Sequence, residues 1–218
     1  MVFNLTLTAT IENSGMLKSK IHWVSPQIEK KSLKFPLKFD DKIYIFEDRV
    51  LGWQLVIAEQ LYYGAVDKVG NPIPHGIEHN GFAVLYILLS YFEMIPKFEA
   101  GDLSEVSGEW FKKGITAVFP EIKGHTEETA ILSGMWKGAR NGLYHSAMTK
   151  SKVFIDGDAA CIDFDMANKR LIINPGVVAK RTIAHFTNYI ARLRDPKNVK
   201  LRANFEKKFD REILKQIQ

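Results

Sequence analysis

The sequence predicts a predominantly α-helical protein: a bundle of four to five helices with a small β insertion and an extended N-terminal region. Three observations lead there. Between Glu47 and Met148, apolar residues recur at helical spacing in four successive stretches separated by glycine and proline punctuation. Around residues 152–173 the pattern changes to short β-prone pieces divided by turn signals. With 218 residues, 46% of them hydrophobic, the chain can bury a substantial core as one domain.

Residues 1–45 read as extended, with apolar and polar residues alternating from Phe3 to Ile11 and strand-like pieces at Lys34–Phe39 and Lys42–Phe46. Asp48 is placed to cap a first helix running to about Val66, and Val69-Gly-Asn-Pro-Ile-Pro ends it. A second helix, about Gly76–Phe98, is apolar nearly all round and so is expected to be the most buried. Gly101-Asp102 separates it from a third, about Ser104–Phe119, which Pro120 stops. Thr126, followed by two glutamates, is the expected cap of a fourth helix reaching about Met148. A hairpin or three-stranded meander follows, with turns at Asp156-Gly157 and Asn168-Lys169. Asn174-Pro175-Gly176 then opens a helix to Arg194, and after Asp195-Pro196 a basic helix closes the chain. The expected division is 1–45, a helical bundle over 46–195, and a C-terminal helix over 196–218.

Composition narrows the classes of function. The single cysteine, Cys161, excludes an intramolecular disulfide and a cysteine-rich zinc site. The N-terminus lacks the basic and apolar regions of a signal peptide, and the apolar run around Phe82–Phe92 reads as too short and interrupted to span a bilayer. A cytoplasmic protein without membrane contact is the expectation. The net charge of +5 is concentrated at the ends: nine Lys/Arg against four Asp/Glu from Arg192 to Gln218, and seven against three from Lys18 to Lys42. Such ends can attract a polyanion such as RNA, although a solvated amphipathic helix has the same composition.

The chemistry is concentrated at Arg140-Asn141-Gly142-Leu143-Tyr144-His145, near the end of the fourth helix. A permanently charged guanidinium can clamp a phosphate, and a histidine can move a proton near neutral pH. Arg140, Asn141 and His145 form an R-(polar)-x3-H pattern at the end of a four-helix run. In this the chain resembles the HEPN family over roughly residues 47–195. The resemblance implies an all-helical fold, homodimers and metal-independent endoribonuclease activity, often in toxin–antitoxin or other defence systems, with an antitoxin protein as a partner. It implies no cofactor. Some HEPN members keep the fold without the activity, so a non-catalytic module binding RNA or protein is the alternative.

In that reading His145 removes the ribose 2′-OH proton or protonates the leaving 5′-oxygen, Arg140 neutralises the phosphorane, and Asn141 orients phosphate or ribose. On a regular helix, however, Arg140 and His145 point about 140° apart, whereas Asn141 and His145 share a face. Gly134, Gly138 and Gly142 form a stripe beside them. Each mid-helix glycine costs roughly 0.5–1 kcal/mol relative to alanine, so the stripe implies close approach by another element. Two occupants fit: the same helix of a second copy, which would make RNA cleavage a property of the homodimer, or the second helix of the same chain.

Further polar residues are candidates for the site. His79, Tyr86, Ser90 and Glu93 fall along one face of the second helix, where Glu93 needs a cationic partner such as Arg140. Tyr144 could stack a base, and Arg181 and His185 lie on a stripe that could face RNA. A competing pattern, His75-Gly-Ile-Glu78-His79, matches the H-x-x-E-H arrangement of a zinc hydrolase but starts right after Pro-Ile-Pro and lacks an evident third ligand. The expectation is therefore no metal.

Overall fold

The computed structural model describes residues 23–64, 80–104, 106–150 and 152–218; the Phe3–Ile11 stretch and the His75–His79 pattern lie outside them. The chain is mostly helical with two small sheets. A short antiparallel pair, β1 (Trp23–Ser25) and β2 (Ile28–Glu29), precedes helix α1 (Phe39–Val50). A π-helical stretch, Leu51–Leu55, carries α1 directly into α2 (Val56–Tyr63). Residues 39–45 are thus helical, correcting the extended reading, because Asp40 and Asp41 occupy the first turn and Asp41 accepts from the Lys38 backbone N–H at 2.9 Å. Asp48 does not cap. It is buried within α1 and accepts from the Ser25 hydroxyl (2.5 Å) and the Gln27 N–H (2.8 Å), tying the β1–β2 pair to the helix.

Helix α3 (Gly81–Ala100) is the central element. It is long and apolar enough by composition to cross a membrane, which corrects the length argument from sequence, but Leu85, Leu88, Phe92 and Ile95 are buried inside the bundle. Gly101, at φ 64°, ends it, and the Asp102 N–H returns to the Lys97 carbonyl at 2.9 Å. Helix α4 (Gly108–Val118) crosses α3 so closely that a Cβ on Gly114 would stand 1.8 Å from the Phe92 carbonyl oxygen. Only glycine permits that contact.

The expected fourth helix is one rod of three parts: α5 (Glu128–Ser133), a π-helical stretch Gly134–Arg140, and α6 (Asn141–Ser146). Its first residue follows Glu127, and no side chain, Thr126 included, caps it. Strands β3 (Val153–Ile155), β4 (Ile162–Asp165) and β5 (Arg170–Ile173) form a sheet of order β3-β5-β4. β4 and β5 are the expected hairpin, but β3 pairs parallel to β5, so the sheet is not a meander. The Asp156-Gly157 turn opens a crossing loop instead, held by Asn174, whose side-chain amide donates to the Gly157 and Ala159 carbonyls at 2.7 Å. The same residue accepts from Gly176 and Val177 N–H at 3.1 Å, capping α7 (Pro175–Arg194).

Helix α8 (Val199–Phe209), a π-helical stretch Asp210–Leu214 and α9 (Lys215–Ile217) complete the chain. They are part of the core, not a detached basic tail. Phe205 packs against Phe46 and Phe98, with ring centroids 5.4 and 6.0 Å away, and Lys42 on α1 bonds Glu206 (2.6 Å) and Asp210 (2.8 Å). Each buried phenylalanine contributes about 1.5–3 kcal/mol, which outweighs the solvated-face reading of this segment.

Candidate functional site

The Arg140 side chain lies between two rings of its own helical rod. Its guanidinium carbon is 4.8 Å from the Trp136 ring centroid, one turn before, and 4.7 Å from Tyr144, one turn after. From α3, Glu93 brings a carboxylate oxygen to 3.5 Å of Nη2 and at the same time accepts from Lys97 at 3.1 Å. Nη1 donates to Asn141 Oδ1 at 3.2 Å. Glu93 therefore has the cationic partner its position demands, and Asn141 faces Arg140 through its amide oxygen.

Arg140 and Tyr144 form one wall of a cleft of about 520 Å³ between α3, α6 and the C-terminal helix. Ser90, Glu93 and Lys97 line it from α3, and Lys208, Arg211 and Glu212 from the opposite side. Lys208 is almost wholly buried and bonded to Glu212. Four cations against two carboxylates leave the cleft net positive, and Ser90 and Ser104 add hydroxyls at its edge. The arrangement can hold a phosphate group through charge-assisted hydrogen bonds.

Tyr144 stacks on Tyr86 of α3 with ring centroids 4.6 Å apart and planes 19° from parallel. Burial, with Tyr86 alongside, raises the Tyr144 phenol above its ordinary value, so it remains a neutral donor. His145 is exposed at the last turn of α6, and its ring has no partner among the described residues. It does not line the cleft that holds Arg140. The structure unites Arg140, Asn141, Tyr144 and Glu93 and leaves His145 outside; the wheel separated Arg140 from His145 but grouped Asn141 with His145, whereas the Asn141 amide oxygen is bonded to Arg140.

Arg181 and His185, read as a stripe that could face RNA, are both engaged inside the fold. Arg181 makes a two-pronged ion pair with Glu121, donates to the Val118 carbonyl (3.1 Å) and covers the Phe119 ring. His185 is half-buried, with Nδ1 2.7 Å from the Tyr91 hydroxyl. Both side chains fasten α7 to neighbouring helices. The glycines are also occupied within the chain, although not by α3: a Cβ on Gly134 would meet Leu171 of β5 at 2.9 Å, one on Gly138 would meet Val153 of β3 at 2.4 Å, and one on Gly142 would meet the Met148 carbonyl at 2.6 Å. The β insertion and the loop before it therefore pack against the stripe within one chain.

Sequence reading missed Lys97, Trp136, Lys208 and Arg211. The first three carried a signal: Glu93/Lys97, Trp136/Arg140 and Lys208/Glu212 are all spaced i,i+4. Among the described residues no group of three or more histidine, cysteine or carboxylate side chains is placed to hold a metal ion. No family model matches this sequence, and no curated protein or solved structure matches it either.

Proposed function

We propose that the chain is a HEPN-like, metal-independent endoribonuclease whose complete site needs two copies. The observation that carries the reading is the split motif: Arg140 sits in a net-positive cleft, while His145, five residues on, is exposed outside it and has no partner among the described residues. A ribose 2′-OH loses its proton to His145, the 2′-oxygen attacks phosphorus, and the P–O5′ bond breaks with the leaving oxygen protonated by the same residue of the second copy. The products are a 2′,3′-cyclic phosphate and a 5′-hydroxyl. Arg140 stabilises the charge that develops on the phosphorane. With the glycine face filled, association uses the exposed side of α3 and α6, where Phe82, Tyr86 and Tyr144 remain open around the motif.

The test is incubation of RNA in EDTA with wild type, Arg140→Ala and His145→Ala, with the product ends identified. Cleavage by wild type alone supports the proposal. Cleavage by all three, or by none while each is folded, overturns it, and cleavage abolished by chelator overturns metal independence. A Tyr86→Glu substitution is expected to dissociate the dimer and abolish cleavage, read by sedimentation and activity together.

One observation favours a second reading, a non-catalytic RNA-binding module. Arg140 already has a carboxylate, an amide oxygen and two rings around it. In that case RNA binds, no cleavage appears, and His145→Ala leaves affinity unchanged.

A further inference from the structure

A second groove lies on the opposite, glycine-bearing side of the α5–α6 rod, where the β insertion packs against it. Its volume is about 320 Å³, with Gly134, Gly138, Val153, Phe164 and Leu171 in its lining. Around it stand Lys137 from the π-helical stretch, Lys150 and Lys152 from the loop before β3, and Lys169 from the β4–β5 turn. Four lysines from three separate segments converge, all exposed, and no carboxylate lines the groove. None of the four has an ion-pair partner among the described residues. Lys31, Lys42, Lys97, Lys112 and Lys208, by contrast, each have a carboxylate partner. The nearest acids in sequence, Asp156 after Lys152 and Asp165 before Lys169, stay out of the groove; Asp165 is engaged by Asn168.

Backbone conformation adds an independent point. Lys152 and Lys169 both adopt left-handed geometry, at φ 75° and 52°, where glycine or asparagine is the unstrained choice. Lysine at these two positions carries strain of order 1 kcal/mol each, and what it supplies in return is a positive charge at the rim. An apolar floor with an unopposed ammonium rim fits a phosphodiester chain better than a small anion, because the sugars and bases can lie on the floor while successive phosphates meet separate lysines. Phe164 offers a ring for a base to contact.

We propose that this groove binds single-stranded nucleic acid through its phosphodiester backbone, with Lys137, Lys150, Lys152 and Lys169 each neutralising a phosphate. The site is distinct from the Arg140 cleft, and its occupation does not require that cleft to be catalytic.

The experiment is fluorescence anisotropy of labelled oligouridylate and oligothymidylate on the full chain between about 50 and 200 mM salt. Wild type is compared with a Lys137→Gln/Lys150→Gln/Lys152→Gln/Lys169→Gln variant, and with a charge-matched control, Lys34→Gln/Lys123→Gln/Lys200→Gln/Lys215→Gln. The groove variant should lose roughly tenfold or more in affinity, and its log–log salt slope should shrink by about 0.7 for each lysine removed. The control should retain affinity within about threefold. Equal binding of the two oligonucleotides identifies backbone recognition in general; preference for oligouridylate identifies RNA as the ligand. Unchanged affinity and slope in the groove variant overturn the proposal, as does an equal loss in the control. Capture of polyglutamate but neither oligonucleotide also overturns it, assigning the groove to an acidic polypeptide. Binding without cleavage by wild type would leave this groove standing and remove the endoribonuclease reading alone.

Discussion

Glu93 on α3 stands 3.5 Å from Arg140 on the α5–α6 rod and simultaneously accepts from Lys97. One carboxylate thus balances two cations at the wall of the cleft, and it sets both the stability of the site and the charge it presents to a ligand. Arg140 and Lys97 are only partly solvated there, so their interaction with Glu93 is screened less than on an open surface.

Replacing Glu93 by Gln should therefore have opposed effects. Lys97, with a side chain 10% exposed, loses its counter-ion, and stability is expected to fall by about 1–3 kcal/mol. The cleft becomes more positive, and RNA affinity at low salt should rise. Urea unfolding and salt-dependent binding on the same variant check both signs; a fall in affinity with the fold intact would contradict the charge balance described.

Among the described residues His145 is exposed and has no hydrogen-bond or ion-pair partner. His145→Ala should leave the unfolding free energy within about 0.5 kcal/mol of wild type while cleavage falls by about 10²–10⁴-fold. Loss of stability parallel to loss of activity would mean the ring has a structural role.

At Gly138 the prediction separates internal packing from self-association. A side chain there collides with Val153, so Gly138→Leu should destabilise the protein by about 1–3 kcal/mol through displacement of β3. The folded fraction should keep the wild-type oligomeric state in sedimentation. An altered assembly with the sheet intact would return the glycine stripe to an intermolecular interface.

His185 should make stability depend on pH. Burial lowers the affinity of its ring for a proton; Glu99 opposes that shift and Arg192 adds to it. The unfolded chain, with an ordinary value of about 6.5, therefore takes up the proton first as pH falls. The stability His185 contributes is fully present above that value, and it is lost as pH falls toward the lower folded-state value. Urea midpoints above and below pH ~6.5 should converge in His185→Gln, which keeps an acceptor for the Tyr91 hydroxyl.

Asp48→Ala removes the acceptor for the Ser25 hydroxyl at the end of β1 and for the Gln27 N–H in the turn before β2. A cost of about 1–3 kcal/mol is expected, with amide exchange accelerating first over Val24–Ile28. Uniform acceleration across α3 as well would show that the pair and the bundle unfold as one unit.

Most of the helical order was legible because periodicity and punctuation are local. Gly101 and Asn174-Pro175-Gly176 mark their element ends as expected. The readings that changed each depended on a distant partner. Asp48 looked like a cap because it follows an apparent strand, yet the helix had already begun at Phe39 and the carboxylate answers Ser25, twenty-three residues earlier. Arg181 and His185 looked like a polar face until Glu121 and Tyr91 arrived from other helices. The Glu93–Arg140 pair could be anticipated because a carboxylate on an apolar helix requires a cation wherever the chain leads.

By itself, the sequence determined the helical class, the place of the β insertion, the central helix and the separation of Arg140 from His145 around the rod. All four follow from residue spacing along one local axis. Only the tertiary structure decided that the glycine stripe belongs to β3 and β5, that the basic C-terminal segment is core, and that four lysines from separate segments ring one groove. The physical reason is that close packing and charge convergence join segments far apart in sequence, and one-dimensional periodicity carries no information about which faces meet.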